Sequence, residues 1–340
     1  MDHREKRFEQ FRKDLAELME GEVPRGTEED IYYDFVSTAM RLRRERFDIL
    51  DVKLLNTALK ELQYAFKIFK PYRSIPKAAI FGSARTRPGH PNFRFAESFG
   101  KKLARQGWMV ITGGASGIME ATMRGAGAEN SFGLNILLPF EQKANVIIRG
   151  NPKLVYFKYF FTRKLLFLKE SAATVLFPGG FGTFDEGFES FTLVQTGKAK
   201  PRPLVLVDPP KSGFWRSTIR LFRETMAEDG LIDPADLSLM RHFQDADAAV
   251  REITQFYGNY HSSRFLRDQY LIRLNKPVSP AELERLNRDF RDVLTQGGFE
   301  ILKDVRLDDN QDPALSRIVF YFDRSSYGRL RQLIDALNGV

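Results

Sequence analysis

One stretch of this 340-residue sequence constrains its fold most: a strand-like run followed at once by a glycine-rich turn and a helix. Residues 174–177 have the length and β-branched content of a buried strand, which stops at Pro178. The turn contains three glycines, Gly179, Gly180 and Gly182. We expect Thr183 to be the N-cap of a helix that ends near residue 196. Free N–H groups and the positive end of the helix dipole predict a site for an anion such as phosphate.

A second interpretation of the same stretch stays open. Thr183 and Glu186 have the spacing of a capping box, in which the Glu186 carboxylate only accepts a backbone N–H group at the start of the helix. Glycine-rich turns between a strand and a helix are common, so this stretch alone does not decide between an anion site and a helix cap.

Strand-like and helix-like segments alternate along the central part of the chain. The predicted strands cover residues 78–81, 108–112, 133–138, 174–177 and 204–207. The further predicted helices cover residues 93–106, 118–128, 161–170, 214–226 and 246–257. Such alternation predicts an α/β fold with a doubly wound, Rossmann-like parallel sheet.

The two ends of the chain show other patterns. Apolar residues recur at helical spacing within residues 8–18 and 55–69, so residues 1–70 are predicted to form a helical extension. After a linker predicted over residues 258–263, a strand, a helix, two strands and a helix predict a small α+β domain of ferredoxin-like or ACT-like type. Ligand sensing by this domain would be an analogy only, and a packing or oligomerisation role is equally open. The expected domains are residues 1–70, 71–262 and 263–340.

Composition favours a cytoplasmic protein without a bound metal. No apolar run approaches the roughly 20 residues that span a bilayer, and the N-terminal residues lack the apolar segment of a signal peptide. The sequence has no cysteine, and its four histidines are scattered. The net charge of +8 comes from interleaved basic and acidic residues, so we expect an anionic small ligand and neither a nucleic acid nor a membrane as partner.

Three short motifs of one family occur in order. Residues 178–186 read Pro-Gly-Gly-Phe-Gly-Thr-Phe-Asp-Glu, Arg163 and Lys164 stand upstream of them, and residues 112–121 read Thr-Gly-Gly-Ala-Ser-Gly-Ile-Met-Glu-Ala. These motifs resemble the PGGxGTxxE motif, the Arg-Lys pair and the GGGxxG(L/I)M turn of the Lonely Guy (LOG) family, whose members are often called lysine decarboxylases. The resemblance covers residues 77–210 and leaves out both ends of the chain.

The resemblance implies a nucleotide N-glycosidase that acts without a cofactor. Such an enzyme hydrolyses a nucleoside 5′-monophosphate such as AMP to the free base and ribose 5-phosphate. Breaking the C1′–N bond develops positive charge on the ribose, which a carboxylate stabilises. By the family's pattern, Glu186 and Arg163 are catalytic. The resemblance further implies substrate contacts from Gly179, Gly180, Gly182, Thr183, Lys164, Ser83, Gly114, Gly117, Met119 and Glu120. Family members are dimers or larger, so a homo-oligomer is expected.

Two departures from the family's pattern concern the substrate. Ala172 stands where many cytokinin-activating members have aspartate, and Glu120 stands where glycine follows the methionine of the second turn. These differences favour a purine or pyrimidine nucleotide nucleosidase over a dedicated cytokinin enzyme. Glu120 is either a sugar-binding or catalytic carboxylate or a solvated residue early in its helix.

Features of three other classes of protein also occur in the sequence. The turn at residues 113–117 resembles the cofactor turn of short-chain dehydrogenases, but it follows the second strand, Met119 replaces the last glycine, and no Tyr-x-x-x-Lys sequence follows. A nucleotide-binding sensor of the same fold would keep the glycine turn and lack turnover. A nucleic-acid binder would use the basic excess and show salt-sensitive retention on DNA or RNA.

Overall fold

The computed structural model describes residues 13, 26–138, 143–308, 310 and 312–339. Two compact units divide the chain, residues 1–61 and residues 62–340. Helix α1, Glu28–Arg44, begins after Thr27, whose side chain accepts the backbone N–H of Asp30, and helix α2 is Ile49–Phe69. The helix predicted over residues 8–18 lies outside the described residues, apart from residue 13. In the described ranges no helix is both long and apolar enough to cross a membrane.

A seven-stranded sheet is the centre of the second unit. Its strands are β1 Lys77–Phe81, β2 Met109–Thr112, β3 Ser131–Ile136, β4 Leu154–Phe157, β5 Ala173–Leu176, β6 Leu204–Val207 and β7 Met240–Phe243. The order is β4-β3-β2-β1-β5-β6-β7, and every neighbouring pair is parallel. The strand order reverses between β1 and β5, which opens a crevice at their carboxyl ends. The predicted doubly wound, Rossmann-like fold is confirmed.

Helices cover both faces of this sheet. They are α3 Pro91–Arg105, α4 Ile118–Ala126, α5 Phe160–Lys169, α6 Phe181–Gln195, α7 Phe214–Leu221 and α8 Ala246–Phe256. One apolar core lies between the sheet and helices α3, α4 and α8, and a second lies on the opposite face. Because both faces are covered, the central strands are buried along their whole length, which explains their continuous apolar runs.

The C-terminal part of the second unit carries an antiparallel sheet. Its elements are β8 Tyr260–Leu266, β9 Gln269–Leu274, α9 Pro280–Asp289, β10 Leu294–Ile301, β11 Ser316–Phe322 and α10 Tyr327–Asn338. The strand order is β10-β11-β9-β8. At the start of α9, Ser279 and Glu282 form a capping box, in which the N–H of Glu282 donates to Ser279 Oγ at 3.2 Å. The predicted small α+β module is therefore present.

The structure differs from several of the predicted elements. The linker expected over residues 258–263 is wrong, because β8 begins at Tyr260, which pairs with β9. Strands β4 and β7 were not predicted. The helix predicted over residues 214–226 is present, but it is α-helical only to Leu221 and π-helical from Phe222 to Ala227.

Candidate active site

The turns after β1 and β5 lie side by side at the point where the strand order reverses. The backbone N–H of Ser83 donates to the carbonyl of Pro178 at 3.1 Å, which joins the two turns. On the other side, the N–H of Ile118 donates to the carbonyl of Ser83 at 3.1 Å. Gly117 makes this approach possible, because a Cβ atom there would lie 2.3 Å from the Ser83 carbonyl oxygen and its φ is +72°. The turn after β1 is thus fixed from both sides.

Helix α6 points its N-terminus at these turns. Gly180 is the N-cap, so the helix begins at Phe181 and the prediction of Thr183 as N-cap is wrong. The glycine backbone takes the cap conformation without a side chain, and the N–H of Thr183 donates to the Gly180 carbonyl at 2.9 Å. The capping-box interpretation of Thr183 and Glu186 is wrong as well, since the cap of α6 has no side-chain hydrogen bond. The first N–H groups of the helix therefore have no intrahelical partner.

Gly179 differs from the other two glycines of the turn. A Cβ atom on Gly179 would lie 2.1 Å from Thr183 Oγ1. A Cβ atom on Gly180 or Gly182 would have no described heavy atom within 4 Å, apart from its neighbours along the chain and the backbone of the same helix. The side chain of Thr183 thus fills the space beside Gly179. The backbone at Gly180 and Gly182 stays open to a ligand.

A cleft of about 810 Å³ lies above these turns. Of the residues expected from the sequence to act in catalysis or binding, it is lined by Ser83, Met119, Arg163, Gly179, Gly180, Gly182, Thr183 and Glu186. The structure therefore brings together, at the carboxyl ends of β1 and β5, eight residues that are spread over more than a hundred positions of the sequence.

The other expected residues lie around the cleft and do not line it. The carbonyl of Gly114 accepts the backbone N–H of Asn145 at 2.8 Å, so this glycine holds the segment that follows β3. Gly117 supports the turn at Ser83, as described above. Glu120 forms an i,i+4 ion pair with Arg124 at 2.7 Å. In the structure, these three residues thus make contacts that support the fold.

Glu186 is a buried carboxyl group between two cations. It is 6% exposed, its Oε1 lies 3.6 Å from Arg163 Nη2, and its Oε2 lies 3.4 Å from Lys164 Nζ. Burial raises the pKa of Glu186, and the positive charges of Lys164 and Arg163 offset this only in part. Lys164 does not line the cleft. Its Nζ also pairs with Asp185 at 2.9 Å and with Glu189 at 2.7 Å.

Arg163 occupies an aromatic pocket next to Glu186. Its guanidinium lies 4.9 Å from the ring centre of Phe160 and 5.7 Å from that of Phe167, and its side chain is 14% exposed. Burial lowers the pKa of Arg163. Within the described residues, the 3.6 Å contact with Glu186 is its closest anionic partner. Its buried Nε has no hydrogen-bond partner within the described residues, and the residue lines the cleft.

Eleven other residues line the cleft, and Phe181 and Arg85 are two of them. Phe181, the first residue of α6, is 95% exposed at the mouth of the cleft, and Arg85 ends the turn after β1. Phe181 lies inside the glycine motif, but the motif does not show the direction of its side chain. Arg85 follows the strand predicted over residues 78–81, and the strand pattern does not show that its side chain lines the cleft.

Fold and site together define a doubly wound α/β protein with an open helix N-terminus beside a buried carboxyl group. The profile of a protein family described as "possible lysine decarboxylase" matches residues 119–253. A curated protein of Oryza sativa subsp. japonica, named "probable cytokinin riboside 5′-monophosphate phosphoribohydrolase LOG4", is 29% identical over 192 residues, which cover 54% of this chain and 78% of that protein. These matches confirm the resemblance to the LOG family.

Similar solved structures were found as well. A molybdenum cofactor carrier protein from Chlamydomonas reinhardtii is 21% identical with a TM-score of 0.38, and the match covers 53% of this chain and 96% of that one. The molybdenum cofactor binding protein from Rippkaea orientalis is 16% identical with the same TM-score and the same two coverages. At these identities and scores the structures bear on neither substrate nor partner.

Proposed function

We propose that this protein hydrolyses the N-glycosidic bond of a nucleoside 5′-monophosphate, AMP or a similar nucleotide, to the free base and ribose 5-phosphate. The observation that carries the proposal is the position of Glu186: a buried carboxyl group in the same cleft as an open helix N-terminus. The rice relative is named for a reaction of this type.

The 5′-phosphate would bind at the start of α6. The N–H groups of Phe181 and Gly182 lie in the first turn, and the open space beside Gly180 and Gly182 lets phosphate oxygens approach the backbone. Binding energy from this non-reacting group then fixes the ribose against the carboxylate. Nucleosides without the phosphate should therefore be poor substrates.

Glu186 would act on the sugar. As a carboxylate it stabilises the positive charge that develops at C1′, or it takes a proton from the attacking water. Arg163 would orient that carboxylate and contact the ribose. Lys164 would act through Glu186, because its positive charge favours the ionised form. Ser83 and Met119, which also line the cleft, would contact the sugar or the base.

We further propose that two copies of the chain associate at the mouth of the cleft. Four large apolar side chains at or near the mouth are about half exposed or more: Phe160, Phe161, Leu165 and Phe181. A second copy would cover them. Sedimentation analysis should give a dimer or larger species, and Phe161→Asp should shift it towards the monomer. A monomeric wild-type protein at micromolar concentration would contradict this proposal.

Assay of base and ribose 5-phosphate released from the common nucleoside 5′-monophosphates tests the function. Glu186→Gln should lower turnover by about 10² to 10⁴-fold, the usual range for a general acid or base, with an unchanged circular dichroism spectrum. Arg163→Ala should also remove most of the turnover. Glu284→Gln is the matched control, because Glu284 is exposed on α9 and does not line the cleft. Full activity of Glu186→Gln would refute the assignment, and absence of release from every nucleotide would favour the sensor.

A further inference from the structure

An open groove of about 450 Å³ adjoins the cleft at its phosphate-binding end. Ser83, Arg85 and Gly179 line both the cleft and the groove, so the two spaces meet at the turns after β1 and β5. The groove extends from there along residues 85–92 towards the start of α3, with Phe214 on its other wall. A ligand held at the N-terminus of α6 would thus have this groove beside its phosphate.

Hydrogen-bond donors and positive charge dominate the groove. Arg85 and Arg87 are exposed, and none of the described residues that line the groove is acidic. The described part of the chain gives neither arginine a carboxylate within ion-pair distance. The backbone of Arg85 is fixed, because its N–H donates to Ser83 Oγ at 3.1 Å.

His90 adds a further donor. It is the N-cap of α3, and its Nδ1 accepts the backbone N–H of Asn92 at 3.1 Å. Because Nδ1 accepts, the proton of the neutral ring lies on Nε2, and that nitrogen donates. The neutral side chain thus carries a hydrogen-bond donor in the groove.

We propose that this groove holds a second phosphoryl group, so that the site binds nucleoside 5′-diphosphates more tightly than monophosphates. The proposal rests on the function proposed above, since it takes the first phosphate to lie on α6. A β-phosphate joined to it would lie at Ser83 and Gly179 and extend towards Arg85 and Arg87. Guanidinium groups suit this ligand, because their planar fork of donors matches two phosphate oxygens.

Calorimetric titration with AMP and with ADP tests the proposal. The titrations use Glu186→Gln protein, in which turnover should be slower by about 10²-fold or more. They contain no divalent cation, so that only protein groups neutralise the added charge. We expect ADP to bind about tenfold more tightly than AMP, because a tenfold change in affinity corresponds to the free energy of about one charge-assisted hydrogen bond. Arg87, which lines the groove and not the cleft, is the residue to change.

Arg87→Gln should abolish most of the ratio between the AMP and ADP dissociation constants. Arg105→Gln is the matched control: it removes the same charge from an exposed position at the other end of α3 and should keep the ratio. Equal affinities for the two nucleotides, or the same ratio in both arginine variants, would overturn the proposal. Base release from AMP by the wild-type protein, measured in parallel, reports on the proposed function separately.

Discussion

At the scale of single residues, Glu186 is held in an environment that disfavours its charge. Removing a carboxylate from water costs more free energy than its attraction to Lys164 and Arg163 offsets, so the pKa of Glu186 is raised. The chain thus carries a destabilising ionisable group at the bottom of its cleft. Groups of this kind are typical of functional sites, where chemistry and not stability selects the residue.

This environment predicts the pH dependence of the reaction. If ionised Glu186 is the active form, kcat/KM should rise with pH along an acid limb whose apparent pKa lies above 4.5, the ordinary value. Lys164→Met should move that limb to higher pH, because the positive charge of Lys164 lowers the pKa of Glu186. Profiles measured between pH 4 and 8 check this. Lys101→Met, at an exposed position on α3, is the control.

An acid limb at the same pH in the wild type and in Lys164→Met would show that Glu186 does not control the rate. A parallel loss of activity at every pH would indicate instead that Lys164 has another role in the site.

The sequence contained part of this arrangement. The family's motifs pointed to both Arg163 and Glu186, and the structure places these two side chains 3.6 Å apart. The rest depends on contacts between elements. Lys164 does not line the cleft, whereas Arg85 and Phe181 do. This follows from how α5, β1 and α6 pack, which residue spacing does not encode.

At the scale of elements, the three glycines of the turn before α6 have different roles. Gly179 is required by packing, since Thr183 occupies the place of its missing side chain. Gly180 and Gly182 leave space above the helix N-terminus. The three glycines look equivalent in the sequence motif. Only their surroundings in the structure show that Gly179 is required for packing and that Gly180 and Gly182 leave space for a ligand.

Gly182→Ala should separate stability from binding. Alanine in the first turn of α6 meets no described atom within 4 Å, so the variant should be as stable as the wild type or up to about 1 kcal/mol more stable. Its Cβ atom would narrow the space next to the free N–H groups, and KM for the nucleotide should rise about tenfold, as for the loss of one charge-assisted hydrogen bond. Urea unfolding and steady-state kinetics measure the two effects.

Gly179→Ala provides the contrast to this variant. Its Cβ atom would lie 2.1 Å from Thr183 Oγ1, so the turn must shift and the protein should lose both stability and activity. An unchanged KM in Gly182→Ala would place the phosphate elsewhere.

Among the elements, the buried strands were predictable and the edge strands were not. Strands β1, β5 and β6 are apolar on both faces and stand out as short continuous runs. Strand β7 lies at the edge of its sheet and reads Met-Arg-His-Phe, and β8 begins Tyr-His-Ser-Ser-Arg, so neither shows a clear apolar pattern. Their pairing with β6 and β9 defines them, and such pairing is a property of the whole fold.

At the scale of the whole molecule, a cluster of four charged residues joins the two sheets of the second unit. Arg331 on α10 contacts Glu252 on α8 and lies 2.9 Å from Asp335. Arg241 on β7 lies 2.7 Å from Asp335 and 3.7 Å from Glu252. The two cations thus bridge both carboxylates between the parallel sheet and the last helix. These residues are up to 94 positions apart, so residue spacing does not predict the cluster.

Breaking this cluster should weaken the unit as a whole. The side chain of Arg331 is 3% exposed, and its guanidinium lies 4.9 Å from the ring centre of Phe256. Arg331→Met keeps an apolar side chain at this position and leaves the two buried carboxylates with Arg241 as their one remaining cation of the cluster. Loss of one partner of a buried ion pair costs about 3–5 kcal/mol, and the free energy of unfolding in urea should fall by this order.

The control is Arg288→Met, because Arg288 and Asp289 form an exposed pair whose loss should cost no more than about 0.5 kcal/mol. Equal stabilities of the two variants would show that the cluster does not hold the sheets together.

The number of steps in the unfolding transition of Arg331→Met carries further information. If α10 and the antiparallel sheet fold only with the parallel sheet, Arg331→Met unfolds in one step at lower urea. If they fold alone, fluorescence from Trp108 and Trp215 in the α/β part and far-ultraviolet circular dichroism should give separate midpoints.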